Sequence, residues 1–211
     1  MKYILLTILL FLVTTTQAQV FTKPQGQPAI KFIKANTPVG LIYPEPHGEL
    51  DEYGYTKQMF ATNEWTKDTA YFAFYAQVNN LQEGDVVFLG YLYVPDGSRN
   101  YHRIFIDTFE VEGSAAEITS IFYANADKDK PRELVMLIKW PQRHYDIKGD
   151  FYETRIYDNI GPGQYPKKLT FLKWVSIQVS GGFEGDREGE KVVSKFKTAK
   201  EVKEGLKKLT Y

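Results

Sequence analysis

Between Ala70 and Glu112 three apolar runs follow one another with turn chemistry in the gaps, a pattern that points to strands and not to helices. Ala70 to Val78 (AYFAFYAQV) ends in Asn79-Asn80 and Glu83-Gly84-Asp85, and Val86 to Val94 (VVFLGYLYV) stops at Pro95-Asp96-Gly97. Tyr101 to Glu112 (YHRIFIDTFEVE) alternates, with Ile104, Ile106 and Thr108 on one face and Phe105, Asp107 and Phe109 on the other. Aromatic and β-branched residues suit a pleated, half-buried surface, while Asn, Asp, Gly and Pro supply the dihedrals of tight turns. Three consecutive antiparallel neighbours are predicted.

The rest of the chain extends this reading. Glu133 to Trp140 (ELVMLIKW) is the most hydrophobic stretch beyond the N-terminus and predicts a central strand. Phe151 to Tyr157 returns after a long connection through Pro141 and Gly149, and Leu169 to Val179 reads as a further strand. Gly181 to Gly189 reads as a glycine-rich acidic turn, with Lys191 to Phe196 as an edge strand whose lysines discourage pairing with other chains. Earlier, Gln19 to Pro28 reads as an extended arm (about residues 19–29) and Ile30 to Lys34 as a short first strand. Thr37 to Asp51 holds three prolines and two glycines, which break helices. At the end the period changes. Thr198 and Glu201 fit a capping box, and Ala199, Val202, Leu206 and Leu209 recur at helical spacing, interrupted only by Gly205. The expected fold class is mainly β, an antiparallel sandwich or open barrel with one C-terminal amphipathic helix, forming a single domain over residues 19–211.

Residues 1–18 stand apart. Met1-Lys2 is a short positive start, Tyr3 to Val13 is apolar apart from one threonine, and Thr16 and Ala18 are small where a signal peptidase requires it. This predicts a secretory signal peptide cut between Ala18 and Gln19. The apolar run is too short for a span, which needs about 20 residues. The mature chain is therefore expected in the periplasm or outside the cell, with no transmembrane segment. Cysteine is absent, so no disulfide and no lipobox anchor exists. The leader holds one lysine and no acid, so 26 basic and 26 acidic residues become 25 and 26 on its removal. A charge so close to zero argues against nucleic acid as a partner, since phosphate binding needs surplus Lys and Arg.

One stretch carries candidate chemistry. Asn125-Ala126-Asp127-Lys128-Asp129-Lys130-Pro131-Arg132-Glu133 places side-chain oxygens at its first, third, fifth and ninth positions, directly before the strand from Leu134. Calcium takes six to eight hard oxygen ligands, and such alternation turns successive side chains toward one ion. The stretch resembles the calcium loops of integrin-type FG-GAP and related VCBS repeats. That resemblance implies a structural Ca2+ held by Asn125, Asp127, Asp129 and Glu133. Lys130 stands where the family places glycine, Lys128, Lys130 and Arg132 dilute the acidity, and a single copy does not imply a propeller.

Other constellations are weaker. His144 and Asp146 form a potential base and orienting acid, but no nucleophile motif accompanies them. Glu45-Pro46-His47-Gly48-Glu49 reads as a polar loop. Trp65, Trp140 and Trp174 would make a carbohydrate platform if exposed, yet Trp140 and Trp174 fall in apolar runs and are expected to be buried. No nucleophile elbow, P-loop, dinucleotide fingerprint or zinc-protease motif is present. The expectation is an exported, non-catalytic protein that binds a partner protein or a cell-envelope ligand, an envelope glycan being one such ligand. The alternative is an envelope hydrolase acting on glycan or peptidoglycan.

Overall fold

A computed structural model describes residues 17–42, 59–80, 85–110, 112–114, 116–127 and 129–209. The Glu45–Glu49 loop lies outside these residues, as does most of the leader.

The strands are β1 (Gln19–Thr22), β2 (Met59–Thr62), β3 (Ala70–Asn80), β4 (Asp85–Pro95), β5 (Asn100–Phe109), β6 (Glu117–Ala124), β7 (Glu133–His144), β8 (Ile147–Tyr157), β9 (Gly182–Arg187) and β10 (Glu190–Val192). They form two five-stranded antiparallel sheets, ordered β1-β5-β4-β3-β2 and β10-β9-β8-β7-β6. Three helices complete the fold: α1 (Ala29–Ala35), α2 (Lys173–Gln178) and α3 (Ala199–Lys208). The chain is thus a mainly β, antiparallel two-sheet protein with a C-terminal helix.

The packing explains why the central strands are apolar almost throughout. Phe72, Phe74, Leu92, Ile104 and Ile106 of the first sheet meet Leu134, Met136, Ile138 and Trp140 of the second in the inter-sheet core. The alternate residues are buried too. Val135 and Leu137 face Val175, Val179, Val202 and Leu206, under α2 and α3. Ala73, Tyr75 and Tyr93 face Phe32 and Ile33 of α1. A strand covered on both faces loses the polar half of its alternation.

Several expectations need correction. Residues 30–34 are helical: Ala29, Phe32 and Ile33 turn inward at i, i+3, i+4 spacing, while Ile30 is exposed. Most of 169–179 also departs from a strand, because α2 buries Val175, its C-cap Val179 is buried too, and Trp174 turns outward, 62% exposed. Short apolar runs fit both periods, and only the tertiary contacts decide. α2 stands where a strand would otherwise border β8. The Ser180 hydroxyl accepts from Thr154 N–H at 3.0 Å and the Ser176 hydroxyl from Ile156 N–H at 3.0 Å, so the strand's edge amides are satisfied by side chains. The connection through Pro141 and Gly149 is not a loop but a tight hairpin, with Pro141 opposite Asp150. Pro141 lies beyond Lys139, the last β7 residue paired with β6, where the strand is bordered on one side. The glycine-rich turn contains β9, whose Gly185 crosses Gly149 so closely that a Cβ at residue 149 would lie 2.0 Å from the Glu184 carbonyl oxygen. A bulge at Ile106 breaks the alternation of β5 and brings Phe109 into the core.

α3 follows the sequence closely. Thr198 accepts from Glu201 N–H at 3.2 Å, and the Glu201 carboxylate accepts from Thr198 N–H at 2.9 Å. Gly205 is buried under Phe196, where a Cβ would come within 2.5 Å of the ring.

A charged seam joins the sheets. Asp107 of β5 accepts from Arg155 Nη1 at 3.3 Å and from the Tyr157 hydroxyl at 2.8 Å, and Lys168 Nζ lies 3.6 Å from it. Arg155 also donates to the Thr108 carbonyl at 2.8 Å and pairs with Glu153 at 3.1 Å. Burial, followed by the charge of Asp107, pushes the Tyr157 hydroxyl well above its ordinary range, so it remains a donor.

Candidate cation loop and adjoining cleft

The segment 125–132 closes the β6–β7 hairpin, since Ala124 pairs with Glu133. β8 ends opposite, with Tyr157 on Leu134, so Asp158 emerges beside Glu133 at the same rim of the sheet. The carboxylates of Asp127, Asp129 and Asp158 come together there, with one oxygen of each within 4.8 Å of the others. Local hydrogen bonds shape the loop. Asp127 accepts from Asp129 N–H at 2.8 Å, and Asn125 donates its amide to the Asp129 carbonyl at 2.9 Å. Asn159 donates to both Asp129 and Asp158 at 3.2 Å. Desolvation and then the charges of Asp127 and Asp129 raise the Asp158 carboxyl above its ordinary range, against the Asn159 N–H. Among the described residues, no lysine or arginine pairs with these three acids.

The four residues expected from the sequence therefore take different places. Asp127 and Asp129 point to a common centre with Asp158. Asn125 spends its amide on the loop backbone. Glu133 is fully buried beneath the loop, with one carboxylate oxygen on the Ala126 N–H. Its second oxygen has no hydrogen-bond partner among the described residues. Burial, and then the charges of Asp127 and Asp129, push its carboxyl up to about 7 despite the Ala126 N–H. Asp158 escaped the sequence reading because only strand register brings it here. All the candidate donors are oxygens, and this fits a hard divalent cation.

A cleft of about 250 Å³ adjoins the loop. Trp65 to Asp68, Val94 to Gly97 and Ile160 to Tyr165 line it. Two of its walls are tied to the carboxylate loop. Trp65 donates its indole N–H to the Arg132 carbonyl at 2.7 Å, and Arg132 forks onto Glu64 through two bonds of 2.6 Å. The wall from Ile160 continues directly from Asp158 and Asn159. On the far side His102 stacks on Tyr165 at 3.6 Å and reaches Asp96 at 3.5 Å. Desolvation would raise the Asp96 carboxyl, but donors from Ser98, Asn100 and His102 outweigh it and hold the group down at about 2.

His144 and Asp146 sit at the exposed tip of the β7–β8 hairpin, beside a separate open depression that Asp186 and Glu188 also line. No hydrogen bond joins them among the described residues. Trp140 is buried in the core, as expected, while Trp174 is exposed on α2, away from Trp65 in chain and element. Among the described residues no helix is long and apolar enough to cross a membrane. No family model, no curated protein and no solved structure matches this chain.

Proposed function

We propose that this is an exported, non-catalytic binding protein that takes an envelope glycan into the cleft at Trp65, with calcium in the adjoining loop bracing two cleft walls. The observation that carries the reading is the physical tie between the two features, the Trp65–Arg132 hydrogen bond on one wall and the Asn159–Asp129 hydrogen bond at the start of the other. Three carboxylates with no paired lysine or arginine among the described residues gain from a bound cation, since each opposite charge nearby favours the ionised form. The cleft offers the Trp65 and Tyr165 rings beside Asp68, Gln164 and Lys67, a mixture suited to sugar faces and hydroxyls. Hydrolysis is the less supported use. A glycosidase acid needs a raised pKa, whereas Asp96 is held low by its donors.

The test is the thermal midpoint in calcium and in EDTA, paired with titration of the calcium-loaded protein by soluble peptidoglycan fragments, followed by Trp fluorescence. Calcium at a hundred times its dissociation constant stabilises by about 2.7 kcal/mol, and Asp127→Ala removes the effect. Glycan binding is abolished by Trp65→Ala and unchanged by Trp174→Ala. Equal midpoints in calcium and EDTA overturn the cation reading, and no glycan response overturns the ligand reading.

A further inference from the structure

We propose that the mature N-terminus is a pyroglutamyl residue formed from Gln19, with Arg103 assisting the ring closure. This rests on the export reading, in which the leader is cut between Ala18 and Gln19.

Gln19 is exposed and opens β1, with Arg103 of β5 as its cross-strand partner. Its side-chain carbonyl oxygen accepts from Arg103 Nη2 at 2.6 Å. The guanidinium is fixed independently of Gln19. It donates to the Asn36 carbonyl at 3.0 Å and lies over the rings of Phe21 and Tyr91, at 4.7 and 5.5 Å. Ala18, by contrast, is buried at 7% exposure and donates its N–H to the Tyr165 carbonyl at 2.8 Å. The Ala18–Gln19 bond is thus out of a peptidase's reach in the folded chain, and the cut has to precede folding. When β1 then docks on β5, the Gln19 side-chain carbonyl arrives on a fixed cation.

Arg103 acts on the reacting carbonyl. A free α-amine titrates at about 7.7–8, so near pH 8 a large share of it is neutral and nucleophilic. The amine nitrogen attacks Cδ of its own side chain, and the negative charge that develops on Oε1 faces the Arg103 donor. The N–Cδ bond forms, the Cδ–Nε2 bond breaks, and ammonia leaves with the proton given up by the amine. The lactam keeps a carbonyl oxygen that can accept from Arg103, and closure removes the charge of the α-ammonium.

The test starts from the full-length precursor, cut by signal peptidase in the unfolded state, refolded, and followed by intact mass. The expected result is an N-terminus at Gln19 that becomes lighter by one ammonia, roughly tenfold faster than in a free peptide of the same first residues. Arg103→Met brings the rate down to that of the peptide. The peptide comparison stands even if that variant does not fold. A Gln19 terminus that stays open, or closes no faster than the peptide, overturns the inference alone. Failure of the peptidase to cut before Gln19 overturns the export reading, and the inference with it.

Discussion

Two groups of acids in this molecule sit in opposite electrostatic situations. At the seam between the sheets, Asp107 and Glu153 share Arg155, and Asp107 also receives the Tyr157 hydroxyl and lies near Lys168. At the rim of the second sheet, Asp127, Asp129 and Asp158 crowd together, with only amide and backbone donors on them among the described residues. The first group is complete as it stands and fastens one sheet to the other. Among the described residues, the second has no lysine or arginine paired with it. Compensation thus separates an acid that serves the fold from one available to a ligand, and acid count alone does not.

The comparison is open to breakage at several points. The largest effect belongs to the seam: Arg155→Ala leaves Glu153 without its cation and Asp107 with only Lys168, and lowers unfolding free energy by about 3 kcal/mol. Urea titration reads this, and the loss is the same in calcium and in EDTA. At the rim, Asp158→Asn removes the calcium stabilisation of about 2.7 kcal/mol expected at saturating ion, measured as a difference in midpoint. In EDTA the same variant changes sign, becoming more stable than the parent by about 0.5 kcal/mol, because a like charge has been deleted. A destabilised Asp158→Asn in EDTA would show that the rim acids are already compensated.

The smallest effect concerns Asp96, whose carboxyl is depressed in the folded state to about 2. A depressed pKa stabilises the fold above the unfolded value and ceases to do so as pH falls through the folded one. Stability therefore declines between pH 3.8 and about 2, and the decline is shallower in Asp96→Asn. Denaturant midpoints across that window check it.

How much of this was legible depends on which contacts decide each element. β3, β4, β5 and β7 were readable because their apolar runs are long and end in turn residues. α1 and α2 were not, since their short runs satisfy a period of 2 as readily as one of 3.6. α3 declared itself through Thr198, Glu201 and its longer periodic face, although Gly205 reads as an interruption until Phe196 is seen packed over it. β6 escaped notice because its faces are only half-buried. In the site, Asp127 and Asp129 are local and visible. Asp158 joins them through the Leu134–Tyr157 register, and Glu133 turns beneath the loop because Ala126 N–H is there to receive it. Neither fact is written in the spacing.

The double-sided burial of β7 carries a consequence for how the chain finds its register. Where one face of a strand is polar, a one-residue slip exposes the apolar set and is rejected. From Leu134 to Ile138 a slip would exchange one apolar face for another, so polarity supplies no such check. Alignment then has to come from stops at the strand's ends and flanks: the tight turn after His144, the bulge between Ile118 and Ser120 on β6, and the Glu133 carboxylate latched to Ala126 N–H. The loop that gathers the rim acids therefore doubles as an index mark, which sets the reading frame of the most hydrophobic strand in the fold.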